Sequence, residues 1–193
     1  MPRLSKGKFE KPNLAAGNFS SWLGRFTTML TKGSGMKVPC GSCRACCTSS
    51  QFIHIGPDET QTLSRIPEKL LFPAPRLPRG YVLLGYDKNG HCPMLVNGNC
   101  SIYLHRPRTC RTYDCRLFCA AGIEAGYGDS SLIDKQVRRW RFTYKTKQDR
   151  LLHESIRAAA HCIKEHPKRI PPPANPSHVA VRAITLVTLK SAI

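Results

Sequence analysis

Apolar residues recur at helical spacing from Phe19 to Leu30, where Trp22, Leu23, Phe26, Met29 and Leu30 share one side of a short helix behind a Ser or Asn cap. A longer helical pattern begins near Asp149, which can cap it. It carries Leu152, Ile156, Ala159, Ala160 and Ile163 as a buried stripe and stops at His166, before Pro167. Between these two the rhythm changes. Gln51–Ile55 and Tyr81–Tyr86 read as short strands, and Pro57-Asp58-Glu59 opens a helix predicted to end before Pro73. From Cys92 to Tyr103 the chain reads as a hairpin, because Asn97-Gly98 between apolar runs favours a type I′ turn. A two-residue loop pairs Val96 with Asn99 and Leu95 with Cys100, and strict alternation then places Cys92 and Cys100 on opposite faces. Pro107 suits the first turn of a helix that carries Cys110 and ends before Cys115. The tail from Ser177 starts with a cap-like Ser and is Ala-rich, which favours a helix packing back on the rest.

These elements predict an α+β fold: one small domain of short strands and helices organised around cysteine-ligated metal, with a helical segment at the C-terminus. Residues 1–36 are expected as a basic extension, polar and unstructured over 1–17 and then helical; the helix docks on the core or on a partner. Met36 stands directly before the cysteine-rich stretch and is a second candidate start. Residues 37–170 form the expected metal-binding domain, and 171–193 a linker, Pro171-Pro172-Pro173, followed by the last helix. No internal repeat is visible, and no apolar run approaches the ~20 residues needed to span a bilayer.

Eight of the ten cysteines fall into two groups: Cys40, Cys43, Cys46 and Cys47, reading CxxCxxCC, and then Cys92, Cys100, Cys110 and Cys115. An even cysteine count can mean a disulfide scaffold, but the basic, polar start has no apolar core of signal-peptide length. The expected location is the cytoplasm, where closely spaced cysteines mean metal or redox chemistry. Neighbouring side chains of extended backbone point to opposite faces, so Cys46 and Cys47 are expected to serve different ions. Eight thiolates divide into two sets of four, and four complete either a structural zinc centre or an iron–sulfur cluster. Cys119 is read as a replacement ligand or a free thiol near the site, and Cys162, on an amphipathic helix, as ordinary core.

The run Val38-Pro39-Cys40-Gly41-Ser42-Cys43-Arg44-Ala45-Cys46-Cys47, followed by Cys92-Pro93 and by the CxIYxxRPxxCRxYxC pattern from Cys100 to Cys115, resembles the YkgJ-type cysteine-cluster family of zinc- or iron-chelating domains. The resemblance spans about Val38 to Cys115 and implies a metal-binding domain with no assigned biochemical role. A related cysteine-rich domain occurs in enzymes that methylate flagellin lysines, but this chain offers no S-adenosylmethionine site and lacks the CxxxCxxC spacing of radical enzymes.

The choice of metal follows from spacing. Cys40-x2-Cys43-x2-Cys46 copies the first three ligands of a bacterial ferredoxin run, with Cys92-Pro93 in place of its terminal Cys-Pro. Zinc needs only four cysteines at tetrahedral distance. Both cofactors stand, and the three-cysteine run leans towards iron–sulfur. Arg106, Arg108 and Arg111 surround Cys110 and can offset thiolate charge or donate to sulfur, or form a solvated basic turn; Arg106 belongs to the family's Arg-Pro pair. Tyr103 and Tyr113 are read first as packing, and His91 and His105 as bystanders.

The chain has 30 basic against 12 acidic side chains, a net of +18. Two tetrathiolate centres at roughly −2 each lower this to about +14, which keeps nucleic acid as a possible partner. Lys135–Lys147 alternates Trp140, Phe142 and Tyr144 with Arg139, Arg141 and Lys145. That alternation describes a half-buried strand, and less readily an exposed platform on which bases stack. No GxSxG, phosphate loop, HExxH or dinucleotide fingerprint is present. Closed four-cysteine ligation leaves no open position for substrate, so structural support or electron transfer is expected ahead of hydrolysis.

Overall fold

The computed structural model describes residues 12–126, 131–166 and 175–190. The expected polar lead-in lies outside the described residues up to position 11, as does the Pro171–Pro173 linker; from Leu14 to Gly17 the chain is not unstructured as expected but lies in a strand, with Ala16 fully buried.

β1 (Leu14–Asn18) leads into α1 (Phe19–Lys32), whose first turn is capped by the Asn18 side chain accepting from Ser21 N at 3.0 Å. Gly33, at φ 65°, ends it in the left-handed conformation that a side chain disfavours. The helix docks on the core: Phe19, Trp22, Leu23, Phe26 and Met29 are all buried.

β2 (Ile53–Ile55) follows, then α2, which spans only Thr60–Leu63. The long helix expected from Pro57 is not formed. Pro67 restricts Ile66 before it, and the chain turns through a 3-10 segment, Glu68–Leu70, into β3 (Leu71–Pro73). β4 (Val82–Leu84) lies between β2 and β3, antiparallel to both, over a small core of Ile55, Ile66, Leu84, Met94 and Ile102. β5 (Leu95–Val96) and β6 (Asn99–Cys100) form the hairpin in the expected register, with Leu95 opposite Cys100 and Val96 opposite Asn99. Asn97 at φ 49° and Gly98 at φ 72° supply the two positive dihedrals of the turn.

α3 (Arg108–Thr112) begins after Pro107 and ends before Cys115, as the sequence predicts, and α4 (Arg116–Ala121) starts there. α5 (Leu132–Val137) takes the first residues of the basic stretch, so the alternating strand is confined to β7 (Trp140–Thr143). β7 pairs in parallel with β1, from Leu14 opposite Trp140 to Asn18 opposite Thr143. α6 (Lys147–Glu165) is capped by Thr146, three positions before the expected cap at Asp149, in a capping box in which Asp149 is the third helical residue. α7 (Pro176–Lys190) is the expected C-terminal helix.

α1, α4, α6 and α7 bury one another's apolar faces, and Ala120, Ala160, Ala180 and Ala183 allow the close approach. The fold is thus an α-helical half joined to a loop-rich half with short strands. A buried pair pins the two together. Arg116 binds Asp114 through Nη2–Oδ2 at 2.7 Å, and donates onward to Ala16 O at 3.0 Å and Lys37 O at 3.1 Å. The Trp22 indole donates to the same carboxylate at 3.0 Å.

Candidate metal centre

The first cysteine group is a series of tight turns: Cys43 N donates to Cys40 O at 2.9 Å, and Cys47 N to Arg44 O at 2.8 Å. Ala45–Cys47 is a 3-10 turn, so the extended backbone expected at Cys46-Cys47 is not there. At three residues per turn the two side chains diverge by about 120° instead of 180°. Their sulfurs stand 3.9 Å apart.

The second group is brought to the first by backbone pairing. Cys92 N donates to Cys47 O at 2.8 Å, and Ser50 N to Gly90 O at 2.9 Å. Arg44, inside the cysteine run, reaches the hairpin: it donates to Gly98 O and to Asn99 Oδ1 at 3.2 Å, while also holding Gly41 O and Cys43 O. Cys92 and Cys100 do not diverge to opposite faces. β5 starts only at Leu95, and Cys92 sits in the turn before it, where Leu95 N donates to its carbonyl at 2.9 Å, so alternation never reaches it.

The thiols influence one another in two neighbourhoods. Burial, together with the charges of Cys92, Cys47 and Cys100, pushes the Cys110 thiol up to about 12. Burial likewise raises Cys92, which also feels Cys47 and Cys100, and raises Cys100, which feels Cys47. In the other neighbourhood burial pushes Cys115 up to about 12, with Asp114, Cys40 and Cys43 adding to it. Cys40 is raised by burial and by Cys43. Cys46 and Cys47 join the two: Cys46 is held protonated chiefly by its hydrogen bond to Cys47, and that bond pulls Cys47 down to about 7. Cys46 also feels Cys40 and Cys110.

N–H groups are already directed at four of the eight sulfurs. Backbone amides of Met94 and Leu95 reach Cys92 and that of Ile102 reaches Cys100. Ala45 N lies 3.5 Å from Cys43 Sγ, and the Trp140 indole donates to Cys115 Sγ at 3.2 Å. Guanidinium charge adds to these. Arg106, stacked 4.0 Å over the Tyr103 ring, lowers Cys100 and Cys110, and Arg44 lowers Cys40 and Cys47. Arg108 and Arg111 instead engage Asp58 and Glu59.

The donor set of clustered thiols, N–H donors and cations fits a thiophilic metal. Among the described residues, however, no group of three or more His, Cys, Asp or Glu side chains is drawn together closely enough to hold an ion. The eight cysteines are gathered into neighbourhoods, but not closed around a point. Cys119 lies outside both, donating to Trp140 O at 3.4 Å. Cys162 is exposed, which corrects its expected place in the core. It lies one position from Ile163, about 100° around α6 from the buried stripe of His153, Ile156, Ala160 and Ile163. Sequence reasoning missed Trp140 and Arg44 as sulfur and loop partners. Arg44 sits within the cysteine run and could have been found there, whereas nothing local marks Trp140.

Residues 39–125 match the model of the CxxCxxCC family, described as "Putative zinc- or iron-chelating domain". No curated protein and no solved structure matches the chain. Among the described residues, no helix is long and apolar enough to cross a membrane.

Proposed function

We propose that the chain chelates metal through two four-cysteine centres, one of Cys40, Cys43, Cys46 and Cys115, the other of Cys47, Cys92, Cys100 and Cys110. The observation that carries this reading is the mutual influence of the thiols. Cys47, Cys92 and Cys100 all act on Cys110, while Cys40 and Cys43 act on Cys115. Cys46 goes with the first centre because its own set otherwise has three members, and Cys40 acts on it.

Four thiolates per centre leave no coordination position for substrate, which supports structural or electron-transfer work over hydrolysis. Zinc would cross-link the loops; an iron–sulfur cluster would add one-electron chemistry. The Cys40-x2-Cys43-x2-Cys46 spacing favours the cluster at the first centre. Free thiols of this density suit the reducing cytoplasm. Nucleic acid is not favoured as a partner: Trp140 is buried, and Phe142 packs edge-on to Phe19 at 5.3 Å, so neither ring is free to stack on bases.

Protein purified without oxygen should hold two centres. Brown protein with absorption near ~400 nm and matching iron and acid-labile sulfide identifies clusters, and colourless protein with zinc identifies zinc sites. Cys46→Ser and Cys47→Ser should each remove one centre, and Cys46→Ser combined with Cys115→Ser should remove no more than Cys46→Ser alone. Loss of the same metal in both single variants would sink the partition, and metal-free native protein would sink the reading.

A further inference from the structure

α4, β7 and α6 line a groove of about 590 Å³, in the range of small-ligand sites, whose wall includes none of the eight cysteines. Its wall is aromatic and aliphatic, including Phe118, Ile123, Trp140 and Phe142. Its polar groups are Cys119, Tyr144, His153, two carboxylates and three arginines. The carboxylates are engaged: Glu124 pairs with Arg138 at 3.2 Å, and Asp134 accepts the backbone N–H of Ala125. Among the described residues, Arg141 and Arg157 have no carboxylate partner. Arg141 spends one terminal nitrogen on Arg138 O and Trp140 O, at 2.7 and 2.9 Å. Arg157 lies across Gly122, where a Cβ would come within 2.5 Å of its Nε, so a glycine makes room for the guanidinium.

The two charges converge on the same groups. Both act on Cys119, and Arg157 also acts on Tyr144 and His153, where the exposed Glu154 acts in the opposite sense. The Tyr144 hydroxyl and His153 Nδ1 are fixed to each other at 2.8 Å, and His153 stacks on Phe19 at 4.4 Å, so this side of the groove is rigid. Two guanidiniums with spare donors beside an aromatic wall match a ligand with an anionic head and an apolar body.

We propose that this groove binds a compact organic anion, a phosphate monoester or a carboxylate, clasped by Arg141 and Arg157 with its apolar part against the half-buried Ile123. The site draws on none of the eight cysteines, so its failure leaves the chelation reading standing.

The test is calorimetric titration of the full-length, metal-loaded protein with phenyl phosphate, benzoate and inorganic phosphate at about 0.15 M ionic strength, where loose surface attraction is screened. Saturable one-site binding of phenyl phosphate or benzoate is expected, and whichever binds more tightly identifies the head group. Arg141→Gln and Arg157→Gln should each weaken it about tenfold or more, as loss of a charge-assisted hydrogen bond does, and the double variant should abolish it. Arg79→Gln, an exposed arginine elsewhere, should change nothing. No saturable binding by either organic probe overturns the proposal. So does inorganic phosphate binding as tightly as phenyl phosphate, or equal weakening by Arg79→Gln.

Discussion

The Trp140 indole N–H donates to Cys115 Sγ over 3.2 Å, joining β7, in the helical half, to a thiol of the cysteine-rich half. Both groups are buried, so the bond is shielded from water. A thiolate accepting an N–H is stabilised against protonation, and such partners commonly change metal affinity by about 10–100-fold.

Trp140→Phe keeps most of the buried ring and removes the donor. Metal held by the centre containing Cys115 should then be lost to a competing chelator at concentrations about 10–100-fold lower, while the centre containing Cys110 is unchanged. Were Trp140 only packing, the melting temperature would fall and both chelation curves would stay where they are.

The Asp114–Arg116 pair is almost wholly shielded, with side-chain exposures of 0 and 3%. Removing the acid strands a buried guanidinium, so Asp114→Ala should cost about 3–5 kcal/mol in urea denaturation. Replacing both, with Asp114→Leu and Arg116→Met, should cost less than the single change, because no charge is left uncompensated. A double variant as unstable as the single would show that the bonds to Ala16 and Lys37 carry the stability instead.

Burial holds the His153 imidazole below its ordinary 6.5, with Arg157 adding to the shift. The unfolded chain therefore takes up this proton first as pH falls. Stability from the neutral ring is complete above about 6.5 and declines below it, towards the depressed folded value. His153→Phe preserves a ring against Phe19 but not the titration, so its melting temperature should fall less steeply between about pH 7 and 5 than that of the parent protein. Parallel curves would rule out the histidine as the cause.

The periodic helices and the Asn97-Gly98 hairpin were legible because each is fixed by local chemistry: apolar stripes, a cap, two positive dihedrals. The helix from Pro57 failed because Pro67 and the pairing of Leu71–Pro73 with β4 outweigh the local start signal. At the candidate site, spacing alone marks the cysteine groups, but not which thiols neighbour one another. Alternation holds only within a strand, and Cys92 lies in a turn while Cys46 and Cys47 lie in a 3-10 turn. The Trp140–Cys115 bond spans 25 positions, and no local pattern encodes a partner at that distance.

Metal removal should act unevenly across the chain. The core formed by α1, α4, α6 and α7 contains no cysteine among its buried members, and its largest side chains, Phe19, Trp22 and Phe26, are fully or nearly fully buried without help from a metal. The small core under β2, β3 and β4 has five buried residues, with Cys92 and Cys100 packed against it. Ligation can contribute on the order of 10 kcal/mol to folding, as much as the net stability of a whole domain, so the smaller core depends on it far more. Chelation should leave most of the helical circular dichroism in place while amides of β2 to β6 lose protection from hydrogen exchange. Restoring metal should bring that protection back. Uniform loss of helix on chelation would show that the two halves fold as one unit, through the buried Asp114–Arg116 junction, and retention of all protection would show that the cysteine loops stand without metal.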